Sequence, residues 1–273
     1  MHLPRRIVSL QPSITSTLRE LGVLDRIVAC TKYCLDIVPQ MRDGSRLIVE
    51  DSWSAKAEEI LAAKPDMVIA SVPYRLESVA EIMKAKVPFL GFAPQSLGDI
   101  YKDIALLAAV TGVPERGAAL IKSMEDEIAR VKLLTGHRQK LRVFCEEWGK
   151  PLIHSQLWVA ELVHAAGGEF IGTPGKQTKS EEVFAADPDV IIAAWCGAGD
   201  RVPLEKVVQQ RGWQSLAAVR AGRVFCINDE YLNTPGPTLL HGLHALATAI
   251  HPALFPSATG LRAINNLADA EAI

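Results

Sequence analysis

The stretch Pro114–Leu134, PERGAALIKSMEDEIARVKLL, decides how the rest of the chain is read. Pro114 suits a first helical turn, where a missing N–H costs nothing. Glu115 places negative charge at the positive end of the helix dipole. Ile121, Met124, Ile128 and Val131 recur at helical spacing and form one apolar stripe. Arg130 and Lys132 follow in the last turn, and Gly136 supplies a stop. At ~1.5 Å per residue such a helix is roughly 30 Å long, about the width of a small domain. Taken alone it is an ordinary surface helix. Its place in the chain makes it a connector, because similar strand–helix patterns lie on both sides.

Before it, short apolar strands are expected at Arg6–Leu10, Arg26–Cys30, Arg46–Val49, Asp66–Ala70 and Val87–Phe92. Helices fall between them. Ser13 reads as the cap of the first, and Leu97–Val110 is the last before the connector. Thr31–Asp36 reads as a loop. After the connector the plan repeats, with strands at Leu141–Cys145, Asp189–Trp195 and Arg223–Ile227. Helices are expected at Leu157–Ala166, Leu204–Gln210, Gln214–Arg220 and Pro237–Ile250. One internal match supports two lobes: EEILAAKPDMVIA at 58–70 resembles EEVFAADPDVIIA at 181–193. Both read as helix, Pro-Asp break, then buried strand. Alternating strands and helices imply mostly parallel sheets covered on both faces. The expected division is a lobe at 1–112, a connecting helix at 113–136, a lobe at 137–256 and a loose tail at 257–273.

Composition narrows the function. Hydrophobic residues make up 49% of 273 residues and the net charge is −2, which argues against nucleic-acid and anionic-membrane binders. No apolar run reaches the ~18 residues of a membrane span. The chain opens Met1-His2-Leu3-Pro4 without a secretory signal, so a native start implies the cytoplasm. Five cysteines without close spacing read as thiols rather than a disulfide framework. Walker loops, dinucleotide fingerprints and Gly-x-Ser-x-Gly elbows are missing, which points to binding rather than catalysis.

In parallel α/β sheets, ligands bind beyond the C-terminal strand ends. The candidates there are Tyr33 and Cys34, then Glu147-Trp148, Trp195-Cys196 and Asp229 with Tyr231. Trp53 and Trp158 stand at helix starts. Aromatics are only 6% of the chain, so tryptophans gathered beside strand ends suit a large, flat, partly apolar ligand. For any single one, packing of a loop against a sheet is an equal alternative. Cys34 and Cys196 make a candidate soft-metal pair with Glu147 as a third ligand, although isolated cysteines are more often core residues.

The stretch RIVSLQPSIT at 6–15, with Leu21-Gly22, Asp25–Val28 and AKPDMVIA at 63–70, resembles the opening of the helical-backbone substrate-binding proteins of ABC importers for cobalamin, haem and ferric siderophores. Glu147-Trp148, Trp158–Leu162, Ala166–Gly168, Cys196-Gly197, Ala218–Val224 and Pro235–Pro237 resemble its cobalamin-binding branch. Ser16 and the Leu35–Pro39 loop depart from the family pattern. The resemblance implies two Rossmann-like α/β lobes joined by one backbone helix, with a ligand cleft between them. It implies a monomeric, non-enzymatic receptor, at the cell surface or in the periplasm. Its ligand would be a corrinoid or ferric chelate, with no further cofactor, and its partner a membrane permease. It also implies one permease-docking glutamate per lobe, matched here to Glu77 and Glu181. The alternatives are a cytoplasmic metal- or corrinoid-handling protein of the same fold, and an enzyme with Cys34 or Cys196 as nucleophile.

Overall fold

The computed structural model describes residues 3–265, and the chain divides into two compact units between Ser123 and Met124. The first unit holds strands β1 (Ile7–Ser9), β2 (Ile27–Thr31), β3 (Leu47–Val49), β4 (Met67–Ser71) and β5 (Phe89–Phe92). They pair in parallel in the order β3-β2-β1-β4-β5. Helices α1 (Pro12–Glu20), α2 (Lys32–Ile37), α3 (Ala57–Ala62), α4 (Leu76–Lys84) and α5 (Leu97–Val110) connect them, and α6 (Pro114–Thr135) follows. Successive side chains of a strand point to opposite faces. Ile7 and Ile69 accordingly join one core with Ile14, Leu18 and Leu107, while Val8 and Val68 join another with Ile60 and Ile82. Burial on both faces is why these strands read as unbroken apolar runs.

The second unit holds β6 (Leu141–Gly149), β7 (Leu152–His154), α7 (Leu157–Ala165), β8 (Gly168–Phe170), α8 (Ser180–Ala186) and β9 (Val190–Ala193). There follow α9 (Leu204–Gln210), α10 (Ala217–Arg220), β10 (Val224–Ile227), α11 (Leu239–Ile250) and β11 (Leu261–Ala263). The sheet runs β11-β10-β9-β6-β7, with β8 also on β6. Its β10, β9, β6 and β8 are mutually parallel, and β7 and β11 run antiparallel.

The internal match is a structural repeat. The break before each Pro is made by a left-handed residue, Lys64 at φ 48° and Asp187 at φ 40°. The aspartate after each Pro then ties the incoming strand to the neighbour that opens the sheet. Asp66 accepts the N–H of Arg5 and Arg6 at 2.8 and 2.9 Å, and Asp189 accepts that of Arg142 at 2.8 Å. Two charge-assisted bonds outweigh one. Asp66→Ala is therefore expected to cost about 1–3 kcal/mol and more than Asp189→Ala, measured as a shift in the urea midpoint. Equal effects would contradict this account of the breaks.

Several expectations change. Residues expected as a loop form α2, because Cys34 and Ile37, one helical turn apart, both bury inward. Gln11, not Ser13, precedes α1, with Pro12 in its first turn. Strand β6 runs to Gly149 and turns back as a hairpin into β7, so Glu147 and Trp148 lie within a strand rather than after one. Part of the expected loose tail is β11, paired with β10 through Cys226 and Arg262; residues 266–273 lie outside those described. The division between units falls inside α6 rather than at its ends.

Candidate functional site

Both sheets have a switch point, where the connections leave a central strand in opposite directions: β1/β4 in the first unit and β6/β9 in the second. Such points open a crevice at the strand C-termini. In the first unit Gln11 follows β1, and its amide donates to Ser52 Oγ at 2.7 Å and to the Ser71 carbonyl at 3.3 Å. Ser52 Oγ in turn donates to the Pro73 carbonyl at 2.6 Å. This pins the loops after β1, β3 and β4 together. Beside them Trp53, exposed by half, lies 6.2 Å from the ring of Tyr33, with the Lys32 ammonium 4.9 Å over Tyr33. Cys34 is elsewhere: its sulfur is fully buried, near Thr31 Oγ1 and the Ser9 carbonyl. Burial opposes its ionisation, but hydrogen bonds from Cys30, Thr15 and Thr31 outweigh this and lower the thiol. No surface is left for a ligand or an electrophile, so the expected contact and metal ligand becomes a core thiol.

The second unit gathers most of the expected residues. Trp148 is exposed by 43% and donates its indole N–H to the Lys150 carbonyl at 2.8 Å. Trp195 is half-buried after β9, and its N–H donates to Glu146 Oε1 at 2.7 Å. Cys196 is next, exposed as a residue, its sulfur 3.3 Å from the amide nitrogen of Asn233. Asp229 accepts the N–H of Gly197 and Gly199 at 2.8 and 2.7 Å, which shapes the loop after β9. Tyr231 packs against His241 at 5.0 Å. Trp158 differs from expectation: it is 8% exposed, with its N–H on the Leu232 carbonyl at 2.8 Å. It is a core residue that supports the Asp229–Leu232 loop from behind.

The electrostatics of this edge are those of crowded acids. Desolvation pushes Glu147 up to about 7 despite the amide of Gln156, and pushes Asp229 upward against the Gly197 and Gly199 amides. Burial, then the charges of Glu147 and Asp229, push the Cys196 thiol up to about 12. A thiol so raised is a poor nucleophile at neutral pH. Among the described residues no group of three or more His, Cys, Asp or Glu side chains could hold a metal ion. For Glu147 the sign is clear. Its folded value lies above the ordinary 4.5, so its contribution to stability is full below about 4.5 and is lost as pH rises through about 7. Glu147→Gln is expected to flatten the fall in melting temperature between pH 5 and pH 8. An unchanged slope would place the charge elsewhere.

Gln11 and Glu146 were legible as residues directly after strands, whereas Ser52, Arg211 and Asn233 were missed. Asn233 had a signal, since it lies in the loop after a strand. The pairing of Glu146 with Arg211 had none, because it joins residues 65 positions apart.

A family profile described as periplasmic binding protein matches residues 7–231. The chain is 26% identical over 266 residues to an uncharacterized ABC transporter substrate-binding lipoprotein of Bacillus subtilis, covering 92% of this chain and 82% of that one. It is 27% identical over 259 residues to a vitamin B12-binding protein of Vibrio cholerae, covering 89% and 88%. Among solved structures, a periplasmic heme-binding protein from Roseiflexus sp. RS-1 in apo form superposes with a TM-score of 0.79 at 27% identity, covering 91% of this chain and 98% of that one.

Proposed function

Because the chain belongs to the periplasmic binding protein family, we propose that it captures a corrinoid at the strand C-terminal edge of its second sheet and delivers it to an ABC importer. It is a substrate-binding protein rather than an enzyme. No helix among the described residues is long and apolar enough to cross a membrane. The observation that carries the ligand class is the chemistry of the second edge. Trp148 and Trp195 offer apolar rings for a flat macrocycle. Around them stand Glu147 and Asp229, both raised in pKa, and the neutral thiol of Cys196. Raised carboxyls donate hydrogen bonds when protonated and repel anions when not. Amide-bearing, uncharged or cationic corrinoids suit such an edge, and a porphyrin with two carboxylates does not. Tyr33 and Trp53 offer a further pair of rings at the edge of the first sheet. Cys196 would be the metal-facing sulfur, since metal coordination overcomes a raised thiol pKa. A competition between equimolar hydroxocobalamin and hemin, resolved by gel filtration and absorbance, is expected to leave corrinoid on the protein. Retention of hemin instead would overturn this choice.

The internal repeat supports Glu58 in place of Glu77 as the docking partner of Glu181. Its register pairs Glu181 with Glu58 rather than with Glu77. In each copy the second glutamate is tied to backbone: Glu59 accepts the Glu50 N–H at 2.7 Å, and Glu182 the Lys179 N–H at 3.3 Å. The first, Glu58 or Glu181, is exposed in the first turn of a helix. Glu77 is exposed too, but it pairs with Arg75 at 3.5 Å and begins a helix without an equivalent in the repeat match. Glu58→Ala with Glu181→Ala is expected to spare ligand binding and abolish uptake in cells that depend on this protein. Glu77→Ala is expected to retain uptake. The reverse pattern would restore Glu77.

A further inference from the structure

At the second edge Glu146 is a carboxylate that faces inward: its side chain is 0% exposed, and that of Arg211 is 13% exposed. Glu146 uses both oxygens. Oε1 accepts the indole N–H of Trp195 at 2.7 Å, and Oε2 accepts Arg211 Nη1 at 2.7 Å. The guanidinium lies 4.7 Å over the ring of Trp213 and 6.0 Å over that of Trp195, and donates to the Gly149 carbonyl at 3.3 Å. Gly149 itself closes the other side. A Cβ built there would stand 2.5 Å from Trp195 Cζ2, so only glycine lets the indole lie against this strand. The main chain of Arg211 is fixed in turn, its carbonyl accepting Ser180 Oγ at 3.3 Å at the start of α8. Trp213, fully buried, donates its N–H to the Ser180 carbonyl at 3.2 Å.

An indole on a strand-end loop ordinarily keeps rotamer freedom, and freezing it on binding costs affinity. Here the freezing is done in advance. We propose that Glu146 and Arg211 are positioning residues that hold the indole of Trp195 at one orientation and so present a preset face to the ligand. Burying a carboxylate and a guanidinium under an exposed rim is unrewarding for stability alone, because an apolar pair of equal volume would serve as well. An apolar pair offers no acceptor to an indole N–H. The ligand's identity rests on the function proposed above, but the orientation of the ring does not.

The test therefore has a readout without ligand. With 5-fluorotryptophan in the whole chain, Trp195→Phe identifies the Trp195 resonance by its loss. In the unsubstituted chain that resonance is expected to be single and narrow. In Glu146→Gln, which leaves Arg211 without its counter-charge, it is expected to broaden or split. The second variant places the isosteric 3-benzothienylalanine at 195, which removes the N–H donor while leaving Glu146 and Arg211 in place. It is expected to bind hydroxocobalamin about tenfold more weakly, mainly through faster dissociation, and to melt somewhat lower because Glu146 Oε1 loses its donor. A narrow, unshifted Trp195 resonance in Glu146→Gln would overturn the proposal, as would full affinity in the benzothienyl protein. If the unsubstituted protein binds no corrinoid, the ligand assignment falls, and the fluorine spectrum alone decides for or against the lock.

Discussion

Glu146→Ala is expected to destabilise the second unit by about 3–5 kcal/mol, because it removes one member of a buried ion pair and leaves the other without compensation. Arg211 is 13% exposed and cannot recover its lost partner from solvent without moving. The Trp195 N–H loses its acceptor in the same step. Desolvation already pushes the Glu146 carboxyl upward, with Arg211 and then Trp195 drawing it back, so the pair is balanced on its partners. Two units need not unfold together, and a single midpoint can mislead. The appropriate measurement is urea denaturation followed at several probes, in which the transition reported by Trp213 shifts and the other does not. An unshifted transition would show that Arg211 finds another acceptor.

Trp195→Ala is the larger effect on binding. Loss of one large apolar contact is worth roughly 1–3 kcal/mol, or about a five- to 150-fold rise in Kd. The indole is half-buried, and its inner edge packs on Gly149. Part of that area therefore supports the fold rather than the ligand, and a few degrees of melting temperature are expected to go with it. Trp148 is 43% exposed and hydrogen-bonded only to its own turn, so Trp148→Ala is expected to change affinity less and stability hardly at all. Isothermal titration of the two variants separates the roles. Equal affinities in Trp195→Ala and the unsubstituted protein would remove Trp195 from the site.

What was legible in the sequence is what local periodicity and apolar runs record. Helix α6, the five strands of the first sheet and β6, β9 and β10 of the second follow from spacing within a few residues, whereas the short β7, β8 and β11 did not; the repeat was visible because its break is chemical: a left-handed residue, Pro, then Asp. The site was legible as far as strand ends go. Trp195, Cys196 and Asp229 stand together because β9 and β10 are neighbours whose C-termini share one edge. Cys34 misled because a short amphipathic helix and a loop look alike over six residues. Once α2 forms, the same residue turns from the edge into the core. Trp158 misled similarly: a helix start is near the edge, but its second residue faced the protein. The pairing of Glu146 with Arg211 depends on where two distant elements end, and no local pattern carries that.

The most direct measurement is a calorimetric titration of metal-free protein with aquocobalamin and with cyanocobinamide, with absorbance recorded in parallel. Saturable one-to-one binding of at least one of them is predicted, with a shift in the cobalt spectrum of aquocobalamin that Cys196→Ser abolishes and Cys34→Ser leaves intact. Absence of heat and of spectral change with both corrinoids, in protein shown to be folded, would contradict the account.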